Sequence, residues 1–311
     1  MKKNSWVRLI SILLILASIV TLVACDSADD DFDEIVNNNI RAEDLTASEG
    51  LTFSLTPDKK GYQLKSAAKC QDKELVIPST YTGEDGVTLP VTIIAAGAFK
   101  NNKTAVTVYI PDSVTKISGT TAGGAFTGAE SIKTVICGNG LTEISRSAFQ
   151  NCPNLLNVAL KPGLIKIGDY AFADCKNLQK IVIPDTVQTI GASCFQCCIN
   201  LRSVTLGSGI KTQDTLDENG ELVLRKVEGK NEYEPVKKVE EIGKFAFYFC
   251  KSINTIKYTG TTEEFKKLHL DVSCFLSTTL TKVIVCSDGE VEIPKLEGQN
   301  ELEDSFLINN Q

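Results

Sequence analysis

Cysteine and histidine side chains are the first candidates for chemistry in this chain. Cys194-x-x-Cys197-Cys198 packs three thiols into five residues, and His269 is the only histidine. A structural zinc ion needs four Cys or His ligands in tetrahedral array. No second thiol pair has zinc-like spacing, and Cys194 and Cys198 fall on positions that recur elsewhere as small or apolar residues, which leaves Cys197 alone unexplained. A lone histidine without a nucleophile partner supports neither metal nor acyl-transfer chemistry. Phosphate loops, zinc-protease motifs and nucleophile elbows are likewise missing from the sequence. The expectation is a protein with no catalytic residues, no metal and no cofactor.

Cys25 stands in a different setting. Lys2 and Lys3 precede an apolar run, Leu9–Ala24, too short for the ~20 residues that span a bilayer. The run ends in Leu22-Val23-Ala24-Cys25, which resembles a bacterial lipobox, cut before Cys25 so that this residue carries the acyl chains. Each buried CH₂ of such chains contributes about 0.8 kcal/mol of membrane affinity. An ordinary residue beside a soluble-secretion cleavage site is the alternative. Six carboxylates follow within Asp26–Glu34 and should keep that stretch extended. It reads as a solvated tether, and it also resembles the acidic export signal of Bacteroidetes surface lipoproteins. The expected layout is a signal peptide over 1–24, a disordered acidic tether over 25–49, a folded domain over 50–295 and a tail over 296–311. The formal charge is -7; without Lys2, Lys3 and Arg8 it becomes -10, which disfavours nucleic acid as a partner.

These features flank a repeat. Ile144, Ile167 and Ile190 are 23 residues apart, and Phe149/Phe172/Phe195, Cys152/Cys175/Cys198 and Leu155/Leu178/Leu201 keep the same spacing. A fixed period of this size marks a stacked solenoid, whose core is continuous along the stack. Phe99, Phe126 and Phe247 extend the Phe column, and Cys250 extends the Cys column. A Phe-to-Ala change in such a column should cost about 3–5 kcal/mol. The cysteines are expected to form an inward ladder of reduced thiols, although neighbouring rungs, about 4.8 Å apart, lie within disulfide reach.

Each rung should carry one strand with two inward apolar residues two apart: Leu75/Ile77, Val108/Ile110, Val135/Cys137, Val158/Leu160, Ile181/Ile183, Val204/Leu206, Ile256/Tyr258 and Val283/Val285. Pro78, Pro111 and Pro184 lack a backbone donor and should end their strands. The segment around each Phe is too short for a full helix and is predicted as one helical or 3₁₀ turn on the convex side. Phe53/Leu55 and Tyr62/Leu64 alternate as strands of an N-terminal cap. Near the other end Thr262 is the expected N-cap of a short helix, with Phe265 to Leu268 packing back. The period is broken between Ile77 and Ile94, near Gly119–Ala122, and most of all by an insertion at about 211–240. In that insertion Leu222–Val227 and Glu232–Val239 flank Gly229-Lys230-Asn231 as a β-hairpin.

The pattern Leu178-x-x-Ile181-x-Ile183, repeated at Ile132, Leu155, Leu201 and Ile253, resembles the leucine-rich repeat strand. The unit Ile181-Val182-Ile183-Pro184-Asp185, continuing to Ile190-Gly191, Phe195, Cys198 and Leu201, resembles the BspA-type leucine-rich repeat over about residues 62–291. That resemblance implies a right-handed leucine-rich repeat solenoid with a single curved parallel sheet and no Asn ladder after the strand. It also implies a surface protein of anaerobic bacteria, anchored here to the outer membrane through acylated Cys25, with no shared catalytic residues. Some relatives are adhesins, so the expected partner is a host or bacterial surface protein. Capture of a glycan for an uptake system and a periplasmic scaffold are the alternatives. By strand alternation the candidate binding face is Thr134, Ile136, Asn157, Ala159, Lys180, Val182, Ser203, Thr205, Thr255 and Lys257. It offers few aromatic side chains, which favours protein over glycan.

Overall fold

The computed structural model describes residues 40–210, 213–214, 224–226, 233–235, 237–238, 242–268, 272–276, 278 and 283–292. Cys25, His269 and the Gly229-Lys230-Asn231 turn lie outside them. The chain from Arg41 onward forms one compact unit.

Its principal strands are β1 (Glu74–Val76), β2 (Thr107–Tyr109), β3 (Thr134–Ile136), β4 (Asn157–Ala159), β5 (Lys180–Val182), β6 (Ser203–Leu206), β7 (Thr255–Tyr258) and β8 (Val283–Cys286). They pair in parallel as two hydrogen-bonded groups, β1 to β4 and β5 to β8. Each strand is short because its closing apolar residue donates to the next rung and the chain then turns. Ile110 N donates to Ile136 O at 2.9 Å, for example, just before Pro111. The inward pairs are buried as the alternation predicts, with two differences. Leu160 is only partly buried. In β8 the inward residues are Ile284 and Cys286, whereas Val283 is half-buried and Val285 is exposed. Ile256 pairs with Ile284, and a one-residue change of register turns every side chain to the opposite face.

Two further ladders complete each rung. The register Ile residues form a second parallel ladder, in addition to the single sheet expected, with Ile94 at the end of Thr88–Ile94 and Ile117, Ile144, Ile167 and Ile190 in two-residue strands paired in sequence. Ile190 then bridges directly to Ile242, so the insertion between them leaves the stacking unbroken. Gly191 beside this ladder permits close approach, since a Cβ there would lie 2.3 Å from Asp169 N.

The third ladder replaces the predicted helical turn around each Phe. Ser147, Tyr170, Ser193 and Phe245 precede their Phe by two residues, and Asn151, Asp174, Cys197 and Phe249 follow by two; all eight have φ between +52° and +60°. Between them, alternate N–H groups close local turns, as in Ala173 N to Tyr170 O, while the others donate to the next rung. Tyr170 N, Phe172 N and Asp174 N donate to Ala192 O, Cys194 O and Gln196 O at 2.8–2.9 Å. Left-handed residues reverse the winding twice per rung, so no helix can propagate.

The core runs through the stack. Phe99, Phe126, Phe149, Phe172, Phe195 and Phe247 stack with ring centroids 4.1–5.3 Å apart and planes within 18°. A seventh ring, Phe275, continues the column 5.4 Å beyond Phe247. Caps close both ends. Strands Thr52–Leu55 and Tyr62–Ser66 pair antiparallel, burying Leu64 and leaving Leu55 exposed. Ser48 covers the edge of β1 by donating its N–H to Val76 O and accepting from Val76 N, each at 3.0 Å. At the other end α1 (Thr262–Lys266) is capped by Thr261, not Thr262: Thr261 Oγ1 accepts from Glu264 N and Glu264 Oε2 accepts from Thr261 N. Phe265 packs edge-on against Tyr258.

The period breaks are local hairpins. Thr80–Thr82 pairs with Thr88–Ile94, and Gly119–Thr120 pairs with Gly123–Gly124. In the large insertion Leu224–Lys226 pairs antiparallel with Tyr233–Pro235 inside the two expected hairpin arms, and Gln213–Asp214 pairs with Lys237–Lys238.

Candidate binding face and thiol column

Strand register sets the ten candidate face residues in two outward columns. One runs Thr107, Thr134, Asn157 in the first group of strands and Lys180, Ser203, Thr255 in the second. The other runs Val76, Tyr109, Ile136, Ala159 and then Val182, Thr205, Lys257. The first column is half-buried throughout. The second changes character along the stack. Ile136 and Ala159 are only 7% and 3% exposed, so these two do not offer the contact surface expected of them. Ile136 sits in register between Tyr109 and Ala159, and side chains stacked at strand spacing shield one another. Near Tyr109 the segment before Ser48 also reaches the sheet rim: Arg41 Nη2 pairs with Asp112 Oδ2 at 2.8 Å, and Glu43 Oε1 accepts from Asp112 N at 2.7 Å. The accessible part is therefore the second half of the sheet, where Val182 is 42% exposed and Lys257 is exposed beside half-buried Thr205.

Inside, the cysteine column does more than fill space. Cys152, Cys175, Cys198 and Cys250 donate Sγ–H to the carbonyls of Phe126, Phe149, Phe172 and Phe195 at 3.0–3.2 Å, each one rung back. At the same position of the first rung Asn102 donates Nδ2 to Ala67 O at 2.8 Å, and the next rung has Ala129. Apart from Ala129, each of these positions holds a buried hydrogen-bond donor. Burial pushes the Cys175 and Cys198 thiols well above their ordinary range. Cys137, also buried, is pushed up to about 12.

Cys194 joins this buried set, whereas Cys197 is half-buried at a left-handed turn position, where burial and the Asp174 carboxylate raise its pKa. Cys194-x-x-Cys197-Cys198 is thus dispersed between core and turn. Among the described residues no three metal-type side chains converge.

Two features escaped sequence reasoning. Asn154 Nδ2 donates to Glu130 O, Asn177 to Asn154 Oδ1 and Asn200 to Asn177 Oδ1, an asparagine column one residue before each repeat Leu. The 23-residue spacing of these asparagines was the available signal. The second is an aromatic cluster on the turn ladder. Phe245 and Tyr248 meet edge-on at 5.6 Å, and Lys251 Nζ lies 3.8 Å over the Phe249 ring. Phe245 and Phe249 both occupy left-handed positions, costly for bulky residues. Phe245-Ala246-Phe247-Tyr248-Phe249 departs visibly from the Ser-Ala-Phe-Gln-Asn of the rung at Ser147–Asn151.

The chain is similar to several solved leucine-rich repeat proteins. A leucine-rich repeat protein of T. pallidum is 24% identical, over 68% of this chain and 70% of its own, with a TM-score of 0.43. A leucine-rich cell surface protein of Faecalibacterium prausnitzii is 22% identical, over 68% of this chain and 54% of its own, with a TM-score of 0.47. A leucine-rich repeat protein of Bacteroides ovatus is 15% identical, over 78% of this chain and 76% of its own, with a TM-score of 0.42. No curated protein matches the chain. The pattern described as the BspA type leucine-rich repeat region matches in six copies, over residues 92–219 and 225–293. With its Ile, Phe and Leu columns stacked at that period, the chain belongs to the BspA-type leucine-rich repeat family.

Proposed function

We propose that this chain is a surface-anchored bacterial lipoprotein that binds a protein partner on a host or neighbouring cell. The anchor is acylated Cys25 in the outer membrane, with the acidic stretch after it as spacer. The contact surface is the outward face of β5 to β7. The observation that carries this reading is the change along the second outward column, from buried Ile136 and Ala159 to exposed Val182 and Lys257. An apolar Val182 side chain beside Lys180, Ser203 and Thr205 has the composition of a protein contact, with an apolar centre and a polar rim.

Alanine at Val182, Thr205 and Lys257 together should weaken binding to a surface-protein panel at least tenfold while circular dichroism stays unchanged; undiminished binding would refute the face. Protease shaving of intact cells should release the domain, and Cys25→Ala should move the protein from the membrane to the soluble fraction. Protection from shaving would instead place it in the periplasm.

The aromatic cluster favours a second reading, glycan capture, because Phe245, Tyr248 and Phe249 supply the rings that the sheet face lacks. Glycan-array signal lost in Tyr248→Ala, but retained in the Val182, Thr205, Lys257 variant, would support that alternative over protein binding.

A further inference from the structure

The N-terminal end of the stack leaves a strand edge open. Thr52–Leu55 stands last in its sheet, paired on one side with Tyr62–Ser66 and, among the described residues, with no strand on the other. Thr56 N donates to Gly61 O at 2.9 Å, and Ser54 lies opposite Gln63. Hydrogen-bonding direction alternates along a strand, so Ser54 and Thr56 turn their backbone groups inward and Phe53 and Leu55 turn theirs to the open side. Edges of this kind are normally blunted by charge or proline. At the opposite end of the stack Gly289–Glu292 carries two carboxylates, Glu290 and Glu292, whereas Thr52–Leu55 carries neither charge nor proline. Leu55 is 43% exposed on the same face as half-buried Phe53, whose ring centroid lies 4.5 Å from that of Tyr81.

We propose that this edge is a homodimer interface, in which Thr52–Leu55 of two copies pair antiparallel about a two-fold axis at Ser54. The strand itself fixes the axis. A bulge at Thr52/Phe53 ends the regular ladder on one side, and Pro57 has no N–H to donate on the other. An axis at Phe53 would need pairing across that bulge, and an axis at Leu55 would set Phe53 against proline. With the axis at Ser54, Phe53 exchanges both backbone hydrogen bonds with Leu55 of the partner subunit, and Leu55 does so with Phe53 of the partner subunit. The same register lays exposed Leu55 beside the ring of the partner subunit's Phe53, which continues the apolar face of the cap across the axis. It also carries exposed Glu49 toward the opposite charge of the partner subunit's Lys59. The patch is thus self-complementary in backbone, side chain and charge, and its two-fold symmetry closes at two copies.

Sedimentation of the full chain in mild detergent should show a dimer that forms reversibly as concentration rises through about 10–100 μM, in line with an interface below standard size. Leu55→Lys puts a charge on the edge and should weaken dimerisation at least about tenfold with circular dichroism unchanged. Across the axis Ser54 faces its own copy as a non-hydrogen-bonded pair, with Cα atoms about 4.5 Å apart and within disulfide reach. Ser54→Cys in oxidised glutathione should therefore yield a covalent dimer joined through the introduced thiol. Thr52→Cys, which the register sets opposite Thr56 of the partner subunit, should crosslink at least about tenfold more slowly. If Leu55→Lys fails to fold, the comparison of these two cysteine variants decides the matter alone. Dimers undiminished by a folded Leu55→Lys, or equal crosslinking of the two cysteine variants, would overturn the proposal. So would a chain that stays monomeric throughout the concentration range, which would leave the edge to an extended segment of another protein.

Discussion

Phe172 offers the sharpest energetic test of the stack. It is fully buried, with Phe149 at 5.0 Å and 3° on one side and Phe195 at 5.3 Å and 1° on the other. Removing a buried Phe side chain costs about 3–5 kcal/mol through lost transfer energy and the cavity left behind. Stacked aromatic pairs contribute about 0.5–1.5 kcal/mol each beyond buried area. Phe172→Ala breaks two such pairs, whereas Phe99→Ala, at the start of the column, breaks the one with Phe126. The interior variant should therefore be the less stable of the two by about 0.5–1.5 kcal/mol. Phe172→Leu, which retains most of the apolar volume, should fall between wild type and alanine. Urea titrations followed by far-ultraviolet circular dichroism measure all three, with equal slopes as the check that unfolding stays cooperative. The stacking account is refuted if Phe99→Ala costs as much as Phe172→Ala, or if Phe172→Leu is indistinguishable from wild type.

Other perturbations follow from single contacts. Cys175→Ala should destabilise by about 1–2 kcal/mol, losing both a hydrogen bond and a small volume, whereas Cys175→Ser should cost less by about the worth of the donor; thermal melts compare them. Ser131 Oγ is buried without a hydrogen-bond partner, at the position where later rungs place Asn154 and Asn177, so Ser131→Ala should be neutral or stabilise by up to about 1 kcal/mol in urea titration. Cys137 titrates near 9.0 when unfolded and at about 12 when folded. Its contribution is therefore complete below pH 9 and is lost as pH rises toward 12, at about 1.4 kcal/mol per pH unit, and Cys137→Val should flatten that alkaline decline in melting temperature. Gly191→Ala should prevent close packing against Asp169 and lower the melting temperature more than any surface alanine substitution.

What could be read from the sequence depended on the kind of physics involved. Inward strand pairs and the Phe column were legible because burial imposes a strict period on residue type. In β8 that signal fails, since Val283-Ile284-Val285-Cys286 is apolar at every position and alternation alone cannot choose a face. Phe275 was hidden by spacing: it follows Phe247 by 28 residues, although Cys274-Phe275 repeats the Cys194-Phe195 pair. The turn ladder left no trace, because Ser147, Tyr170 and Phe245 share a left-handed backbone but no common side-chain chemistry. For the candidate face, alternation along one strand says nothing of the burial of Ile136 and Ala159, which depends on neighbours distant in sequence.

The turn ladder also gives the solenoid an electrical direction. In the principal sheets hydrogen bonds run both ways along the stack, and the peptide dipoles largely cancel. Around each Phe they do not. Ser147, Phe149 and Asn151 donate forward to Asp169, Ala171 and Ala173, and the corresponding residues of the next rung do the same in turn. Every such peptide directs its carbonyl toward the N-terminal cap and its N–H toward the C-terminal one. Each carries about 3.5 D, and aligned head to tail they add as they do in a helix. The stack is thus polarised along its axis, with partial positive charge gathered at the end where Phe247 and Phe249 donate to Cys274 and Leu276.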